Sequence, residues 1–374
     1  MNYKENKNKF LTIRKIFAFI VKIKYNLFME KMNYFQQRNY KNEQELRKIC
    51  QELPPFCESF FIGIESRTTP LTRLGYAQDL KRFFIFLTTQ TFAFSDKKPN
   101  ELTLNDLNKV TENHIEKYMY YLNSYESKDK IWSNQVKTKA RKFSSVKSML
   151  RYFYRHGDIE QNIGDKLDSP KLREKEIIKL EPEEVVKLLD AVESGDNLSP
   201  TEKRFHKVTY PRDFAIMSLF LGTGIRISEL VGLDVKDIDF SQNAFTITRK
   251  GGSRVILYFG DEVKQALLDY LNVRNAKTDE TEPALFLSLQ NKRITTRAVE
   301  KLVKKYCAGV IPLKKITPHK LRSTYGTNLY RETGDIYVVA SVLGHKDVNT
   351  TKKYYAQISD DIRREASTKV KLRN

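Results

Sequence analysis

Residues 343–355 read LGHKDVNTTKKYY, and the rest of the chain is organised around them. The Leu-Gly pair at the start of this stretch is typical of a helix end, and His345 follows it directly. The Asn-Thr-Thr run at 349–351 can cap a new helix, which would carry Tyr354 on its first turns, nine residues after His345. Taken alone the pattern is weak, because a tyrosine in an amphipathic segment usually packs in a core.

The composition is that of a folded, strongly basic protein. The chain has 374 residues, enough for two ordinary domains and a tail. It holds 66 Lys and Arg against 46 Asp and Glu, for a formal net charge of +20. This balance favours a polyanionic partner, with nucleic acid ahead of a membrane surface. Solvated lysine-rich faces are the alternative explanation of the charge.

The cysteines and histidines argue against a metal or disulfide framework. Cys50, Cys57 and Cys307 are odd in number and form no CxxC pair, and the five histidines are scattered. We therefore expect a reducing, cytoplasmic location and no zinc site. No apolar run approaches the roughly 18 residues of a membrane span, so no membrane association is expected. Residues 16–21 are also too short for a signal-peptide core.

Composition and periodicity divide the chain into a basic extension (1–41), a helical domain (42–160), a linker (161–177) and a second domain (178–374). The first 40 residues hold nine basic residues and two acidic ones. They are either an arm that lies along DNA phosphates or an accidental extension, since Met29 and Met32 would both serve as starts. In either case residues 1–28 are expected to be dispensable for catalysis. The linker is placed where Ser169-Pro170 and a charged run interrupt the helical period.

Four helices are predicted in the first domain from apolar residues at the helical spacing. The first ends at Pro54-Pro55, the second begins at Thr69-Pro70, and the third spans 113–122. The fourth, over 134–155, has an apolar stripe on one side and basic residues with short hydroxyls on the other, which suits inward packing and outward contact with phosphates. A solvated face is the alternative. The stripe is Phe143, Val146, Leu150 and Tyr154, and the candidates for DNA contact are Lys137, Arg141, Arg151 and Arg155.

The second domain is predicted to be mainly α-helical with one small antiparallel β-sheet. Residues 212–221 are apolar on nearly every side and predict a central, buried helix. Residues 244–248 and 255–259 are strand-like, with the turn Gly251-Gly252-Ser253 between them, and 284–287 is a candidate third strand. Further helices are predicted over 261–274, 296–307, 318–331, 335–343 and 350–357, with another starting near 361.

A candidate phosphate cradle lies at the helix start Thr317-Pro318. His319 and Arg322 are three residues apart and share a face of that helix. The free backbone N–H groups of the first turn also favour an anion. A surface His-x-x-Arg with no ligand is the alternative.

Two further cations follow turns that let the backbone approach a ligand. Arg226 comes after Gly222-Thr223-Gly224 and could add a second guanidinium to the same phosphate, with Glu229 one turn later to orient it. Lys250 lies at the tip of the predicted hairpin and could swing into a groove. A surface ion pair and a polar turn residue are the respective alternatives.

These residue types together fit phosphoryl transfer to a tyrosine. Two arginines can neutralise a phosphodiester and the extra charge of its transition state. Histidines can move protons, and a lysine can protonate the leaving oxygen. A tyrosine hydroxyl can be the nucleophile of a covalent intermediate that conserves the energy of the bond. The reaction needs no metal, and no cofactor is expected.

The order of these residues resembles the tyrosine recombinase (phage integrase) family, especially its Xer-like bacterial members. The supporting motifs are GTGIRISEL at 222–230, TRKGG at 248–252, TPHKLR at 317–322 and LGH at 343–345, with Tyr354 following. In the first domain, Thr72, Tyr76, Asp79 and Leu80 also resemble the helical, SAM-like core-binding domain of the family. The resemblance covers roughly residues 42–360. Ser323 departs from a histidine that is frequent in the family, at a position that is not catalytic there. A second tyrosine, Tyr355, follows Tyr354, but the nine-residue step from His345 selects Tyr354.

The resemblance implies two domains that clamp double-stranded DNA and a defined set of roles. Arg226, Arg322 and His345 would hold the scissile phosphate, Lys250 would be the general acid, and His319 would assist proton transfer. Tyr354 would form a 3′-phosphotyrosyl link. Four identical protomers would exchange strands through a Holliday junction without ATP or metal.

Several interpretations of the biological role stay open at this point. Xer-like resolution of chromosome dimers leads, alone or with a second recombinase or a regulator. Integration and excision of a mobile element is the alternative. A relaxing topoisomerase shares the chemistry, and a DNA-binding protein with an inactive catalytic fold is the non-enzymatic alternative.

Overall fold

A computed structural model describes residues 32–127, 129–171, 178–249, 252–276 and 282–344. The chain divides into two compact units, Met1–Glu174 and Lys175–Asn374. The described part is mainly helical with small antiparallel sheets, which confirms the predicted fold class. None of its helices combines the length and the apolar composition that crossing a bilayer requires.

The first unit is a helical bundle with one short hairpin. Its elements are α1 (Tyr34–Cys50), α2 (Cys57–Gly63), α3 (Pro70–Gln90), α4 (Leu104–Asn108), α5 (Glu112–Tyr121), β1 (Tyr125–Glu126), β2 (Ile131–Trp132), α6 (Val136–Arg155) and α7 (Ile163–Lys166). Helix α1 begins before residue 42, and α7 lies within the stretch predicted as a linker. Ile163 and Gly164 of α7 are buried. The packing of the first unit therefore continues past residue 160.

Helix α3 forms where capping and periodicity predicted it. The Thr69 side chain accepts from the Thr72 N–H at 3.3 Å, and Pro70 occupies the first turn, where its missing N–H is not needed. Leu80, Phe84 and Leu87 are buried, and α3 packs against α1 and α6.

The apolar stripe of α6 differs from the prediction at one residue. Phe143, Val146 and Leu150 are buried as expected, but Tyr154 is 48% exposed, so its assignment to the core was wrong. Phe153 is buried in its place and packs edge-on against Phe56. Met149 and Phe153 are buried as well, so the centre of the buried face of α6 lies away from Tyr154.

The second unit surrounds a long central helix. Its elements are α8 (Pro182–Ser194), α9 (Pro200–Thr223), α10 (Ile227–Gly232), β3 (Ile238–Asp239), β4 (Ala244–Thr248), β5 (Arg254–Tyr258), α11 (Asp261–Asn275), α12 (Thr296–Val310), α13 (Pro318–Thr333) and α14 (Ile336–Leu343). Residues 215–220 of α9 are buried, and α9 packs against α8, α11 and α13. This confirms the predicted central helix.

The sheet of the second unit is antiparallel in the order β3-β4-β5, and Thr248 lies opposite Arg254 beside the hairpin turn. The third strand is therefore β3, and the prediction of a strand over 284–287 was wrong. Ala284 and Leu287 form only isolated bridges, to Asp234 and Arg293. Strand β3 is joined to β4 by a short turn and pairs with it. Residues 284–287 instead bond to the segment before β3, where Leu285 N–H donates to Leu233 O, and to the segment that follows them, where Ile294 N–H donates to Phe286 O.

Candidate active site

The end of α9 determines where the first arginine of the site lies. Gly224 ends the helix at φ +62°, and its N–H donates to Phe220 O at 3.0 Å. A Cβ at this position would overlap the ring of Tyr325 on α13. Glycine is therefore required both for the left-handed backbone and for the close approach of the two helices. The turn delivers Arg226 to the start of α10.

Arg226 is fixed by one carboxylate and one main-chain carbonyl. Its Nη1 donates to Glu229 Oε1 at 2.9 Å, and its backbone N–H donates to Glu229 Oε2 at 3.0 Å. Its Nη2 donates to Gly344 O at 3.1 Å, across 118 residues of sequence. Glu229 is only 4% exposed, so this carboxylate can orient the guanidinium firmly.

Arg322 lies in the first turns of α13 and is buried. Its Nη1 donates to Gly224 O at 2.5 Å, and its Nη2 donates to Leu343 O. The guanidinium thus joins the turn after α9 to the end of α14. His319, one turn earlier, is exposed, and its carbonyl accepts from Ser323 Oγ at 3.0 Å. Thr317 occupies the N-cap position of α13, but its side chain makes no capping bond.

A third arginine at this site was missed by sequence reasoning. Arg249 follows β4, and its Nη2 donates to Val342 O at 2.7 Å and its Nη1 to Ser341 O at 3.5 Å. Burial lowers the pKa of this guanidinium, while Glu229 raises it and the charge of Arg226 lowers it further. No local signal marks Arg249, because its partners lie more than 90 residues away in the chain.

The last turn of α14 is the point at which the three arginines meet. The last carbonyls of a helix lack the N–H partners that a continuing helix would supply, and they carry the negative end of the helix dipole. In α14 the Ser341 carbonyl accepts from the capping Gly344 N–H as well. Guanidinium groups suit such carbonyls, because they donate several hydrogen bonds and carry a positive charge. They bind the carbonyls of the four consecutive residues 341–344, immediately before His345. Of the other predicted site residues, Lys250, His345 and Tyr354 lie outside the described residues, as do Tyr355 and the helices predicted beyond 350.

The four cations predicted to contact DNA are all exposed on α6. Arg141 pairs with the buried Asp79, with Nη2 to Oδ1 at 2.8 Å. Arg151 pairs with Asp165 at 2.5 Å, and this hydrogen bond lowers the pKa of Asp165. Lys137 and Arg155 complete the basic face of the helix.

The chain is similar in sequence to known proteins. Residues 179–361 match the sequence model of the phage integrase family. The tyrosine recombinase XerC of Caldanaerobacter subterraneus subsp. tengcongensis is 34% identical over 328 residues, which cover 84% of this chain and 86% of the relative. The tyrosine recombinase XerS of Streptococcus thermophilus is 29% identical over 321 residues, covering 78% and 88%.

A solved structure shares the fold. The XerH site-specific recombinase bound to its difH substrate, in a pre-cleavage complex, has a TM-score of 0.56 to this chain. The match covers 77% of this chain and 76% of that one, at 19% sequence identity.

Proposed function

This chain belongs to the tyrosine recombinase family, and on that premise we propose that it is a site-specific recombinase that cleaves and rejoins double-stranded DNA. The observation that carries the proposal is the convergence of Arg226 and Arg322 on the residues that lead into His345. Such a cluster offers two planar, permanently charged groups to one phosphate. The relatives named XerC and XerS support the same function.

The proposed cleavage step is a transfer of the scissile phosphate to Tyr354. The Tyr354 hydroxyl attacks phosphorus, the bond from phosphorus to the 5′ oxygen breaks, and a 3′-phosphotyrosyl link forms. Lys250 donates a proton to the departing 5′ oxygen, and His319 assists removal of the proton from the tyrosine. The products are the covalent adduct and a free 5′ hydroxyl. Attack by a 5′ hydroxyl of the partner duplex reverses the step and joins the strands.

The arginines would stabilise the charge that develops on the phosphate. Two of the five N–H groups of the Arg226 guanidinium serve Glu229 and Gly344, and the side chain is 36% exposed. It can therefore face a phosphate without leaving the carboxylate that orients it. Groups that are fixed in this way before the reaction need no reorganisation during it.

The proposed assembly follows from the chemistry of strand exchange, and the similarity to the XerC and XerS relatives supports the proposed role. Two duplexes each need two cuts, so four protomers would act on synapsed DNA through a Holliday junction. We place this reaction in Xer-like resolution of chromosome dimers, alone or with a second recombinase, and in the cytoplasm, where the free thiols of Cys50, Cys57 and Cys307 would persist. Integration of a mobile element is the alternative outcome.

Covalent trapping on a nicked duplex tests the proposal. Genomic fragments that the full chain protects would supply the target sequence, and a nick beside the scissile phosphate would prevent rejoining. We expect an adduct with the natural protein and with Tyr355→Phe, but none with Tyr354→Phe, which should still bind DNA. Consecutive helical residues point about 100° apart, so only one of the two tyrosines can face the phosphate.

The outcomes separate the alternatives. An adduct located on Tyr355 by mass spectrometry would overturn the choice of nucleophile, and binding without any adduct would indicate an inactive fold. Joined product from two directly repeated sites supports a recombinase, whereas relaxation alone indicates a topoisomerase. Recombination of protected chromosomal sites, rather than of element ends, would distinguish dimer resolution from integration.

A further inference from the structure

Arg249 joins two segments that the proposed reaction needs to hold together. It precedes Lys250 in the chain, and its guanidinium donates to the carbonyls of Ser341 and Val342 in the last turn of α14. That turn leads through Gly344 into His345. The contact therefore links the β-hairpin that carries the predicted general acid to the helix end that carries a predicted phosphate ligand.

The backbone on the other side of this contact is shaped to accept the guanidinium. Gly344 ends α14 at φ +62°, and a Cβ there would overlap Nη1 and Cζ of Arg249. The arginine thus packs directly on the main chain of the helix end. A planar fork that donates to two successive carbonyls fixes direction as well as distance, which the single ammonium of a lysine cannot do.

The electrostatic surroundings also indicate that Arg249 belongs to the site. Burial lowers the pKa of Arg249, Glu229 raises it and Arg226 lowers it, so the three side chains lie within electrostatic range of one another. The Nε of Arg249 is buried and has no hydrogen-bond partner within the described residues. The side chain is therefore committed to the helix end by its two Nη groups.

We propose that Arg249 is a positioning residue for cleavage, which holds the Lys250 hairpin in register with the helix end before His345. The inference rests on the proposed function and adds a residue to it. Without the clamp, the end of β4 would no longer be fixed against α14, and a misplacement of about 1 Å in the general acid that follows it in the chain can cost about 100-fold in rate. The phosphate itself would remain bound by Arg226 and Arg322.

A substrate that needs no general acid tests this role. In a nicked duplex with sulfur in place of the 5′ bridging oxygen, the leaving group is a thiolate, which departs without a proton. At saturating DNA, we expect Arg249→Ala to slow single-turnover cleavage of the ordinary duplex by about 100-fold. On the sulfur duplex its rate should return to within about tenfold of the natural protein, because the missing acid no longer matters. Lys250→Ala should show the same rescue.

Two further variants and a control complete the experiment. Arg249→Lys keeps the charge but cannot span both carbonyls, so it should be slowed less than Arg249→Ala and be rescued in the same way. It also keeps the test valid if Arg249→Ala fails to fold. Arg254→Ala removes an exposed arginine from the opposite strand of the same hairpin and should change the rate by no more than about twofold. Arg226→Ala should be slow on both substrates.

Each outcome decides the proposal. An Arg249 variant that is equally slow on both duplexes would show that the arginine acts on the phosphate or on folding, and one that is not slowed at all would show that the clamp is irrelevant. Failure of the sulfur duplex to rescue Lys250→Ala would remove the acid that Arg249 is said to position. If the natural protein cleaves neither duplex, the proposed function itself fails.

Discussion

Arg141 and Arg151 of α6 in the first unit and Arg322 beside the end of α14 in the second unit have opposite surroundings. Arg141 and Arg151 are about half exposed and pair with carboxylates, whereas Arg322 is 5% exposed and donates to main-chain carbonyls. A carboxylate partner neutralises an arginine and can give way to a phosphate. A carbonyl partner leaves the positive charge in place and fixes its position. The first arrangement suits affinity for DNA, and the second suits stabilisation of a transition state.

Among the variants that test this comparison, we expect the largest loss of activity from Arg322→Ala. Covalent trapping should fall by about 10²–10³-fold, because one preorganised donor to the developing charge is lost. The unfolding free energy should also fall, by about 1–3 kcal/mol for each of the Gly224 and Leu343 carbonyls left without a donor. Thermal unfolding and trapping on the same samples measure both. Arg226→Ala should lose a similar amount of cleavage, because it removes the second donor to the same charge.

Arg141→Ala is the matched control in the first unit, and it should still form the adduct at saturating DNA. The distinction between the two units breaks down if Arg322→Ala loses DNA affinity in step with cleavage. It also breaks down if Arg141→Ala loses cleavage without losing affinity.

A smaller effect is expected from Gly224→Ala, which tests how closely the second unit is packed at its site. The left-handed backbone and the overlap with Tyr325 should together lower the unfolding free energy by about 2–4 kcal/mol. Gly157 in the first unit is the control, because it also has a positive φ, of 76°, but open space around it. Gly157→Ala should cost only the backbone strain, about 1–2 kcal/mol. Urea unfolding measures both, and equal losses would contradict the close packing.

The pH dependence of the unfolding free energy should distinguish a carboxylate held by hydrogen bonds in the first unit from the arginines of the second unit. Burial opposes the charged form of Asp106 in the first unit, but hydrogen bonds from Lys97 and Thr103 outweigh it and lower the pKa of the carboxyl. Because the folded pKa is depressed, its stabilisation is present above the unfolded pKa of about 3.9 and is lost as the pH falls through and below that value. The difference in unfolding free energy between the natural protein and Asp106→Asn should therefore shrink from about pH 5 to about pH 3.

The arginine cluster should not follow this pattern, since guanidinium groups stay charged throughout that range. The stability lost in Arg322→Ala should be nearly constant over the same pH interval. A constant difference for Asp106→Asn would contradict the assignment of its lowered pKa to hydrogen bonding.

The smallest expected effect concerns single cations on α6. The affinity of the natural protein for duplex DNA should fall steeply with salt, because binding releases counterions from the phosphates. Arg155→Ala or Lys137→Ala should each lower the slope of log affinity against log salt by about 1. Lys48→Ala in α1, which removes an exposed lysine paired with Glu45, should leave the slope unchanged. A natural protein whose affinity barely responds to salt would contradict the role given to this helix.

Many elements of this protein could be predicted from signals that involve only neighbouring residues in the sequence. Thr69 and Pro70 mark the start of α3 because a cap and a missing N–H involve only neighbouring residues. The apolar run of α9 predicts its burial for the same reason. The glycine turn ahead of Arg226 and the order of the motifs carried the resemblance to the family, which is a match of local sequence patterns.

Only the tertiary structure decided which distant groups these residues meet. The contact of Arg226 with Gly344 spans 118 residues, and no periodicity or cap encodes it. The role of Arg249, the exposure of Tyr154 and the pairing of β3 in place of 284–287 depend in the same way on packing between elements. Hydrogen-bond partners of a helix C-terminus can come from any part of the chain that folding brings within about 3 Å. For that reason the sequence specifies which arginines the chain contains, whereas only the folded structure shows which carbonyls they contact.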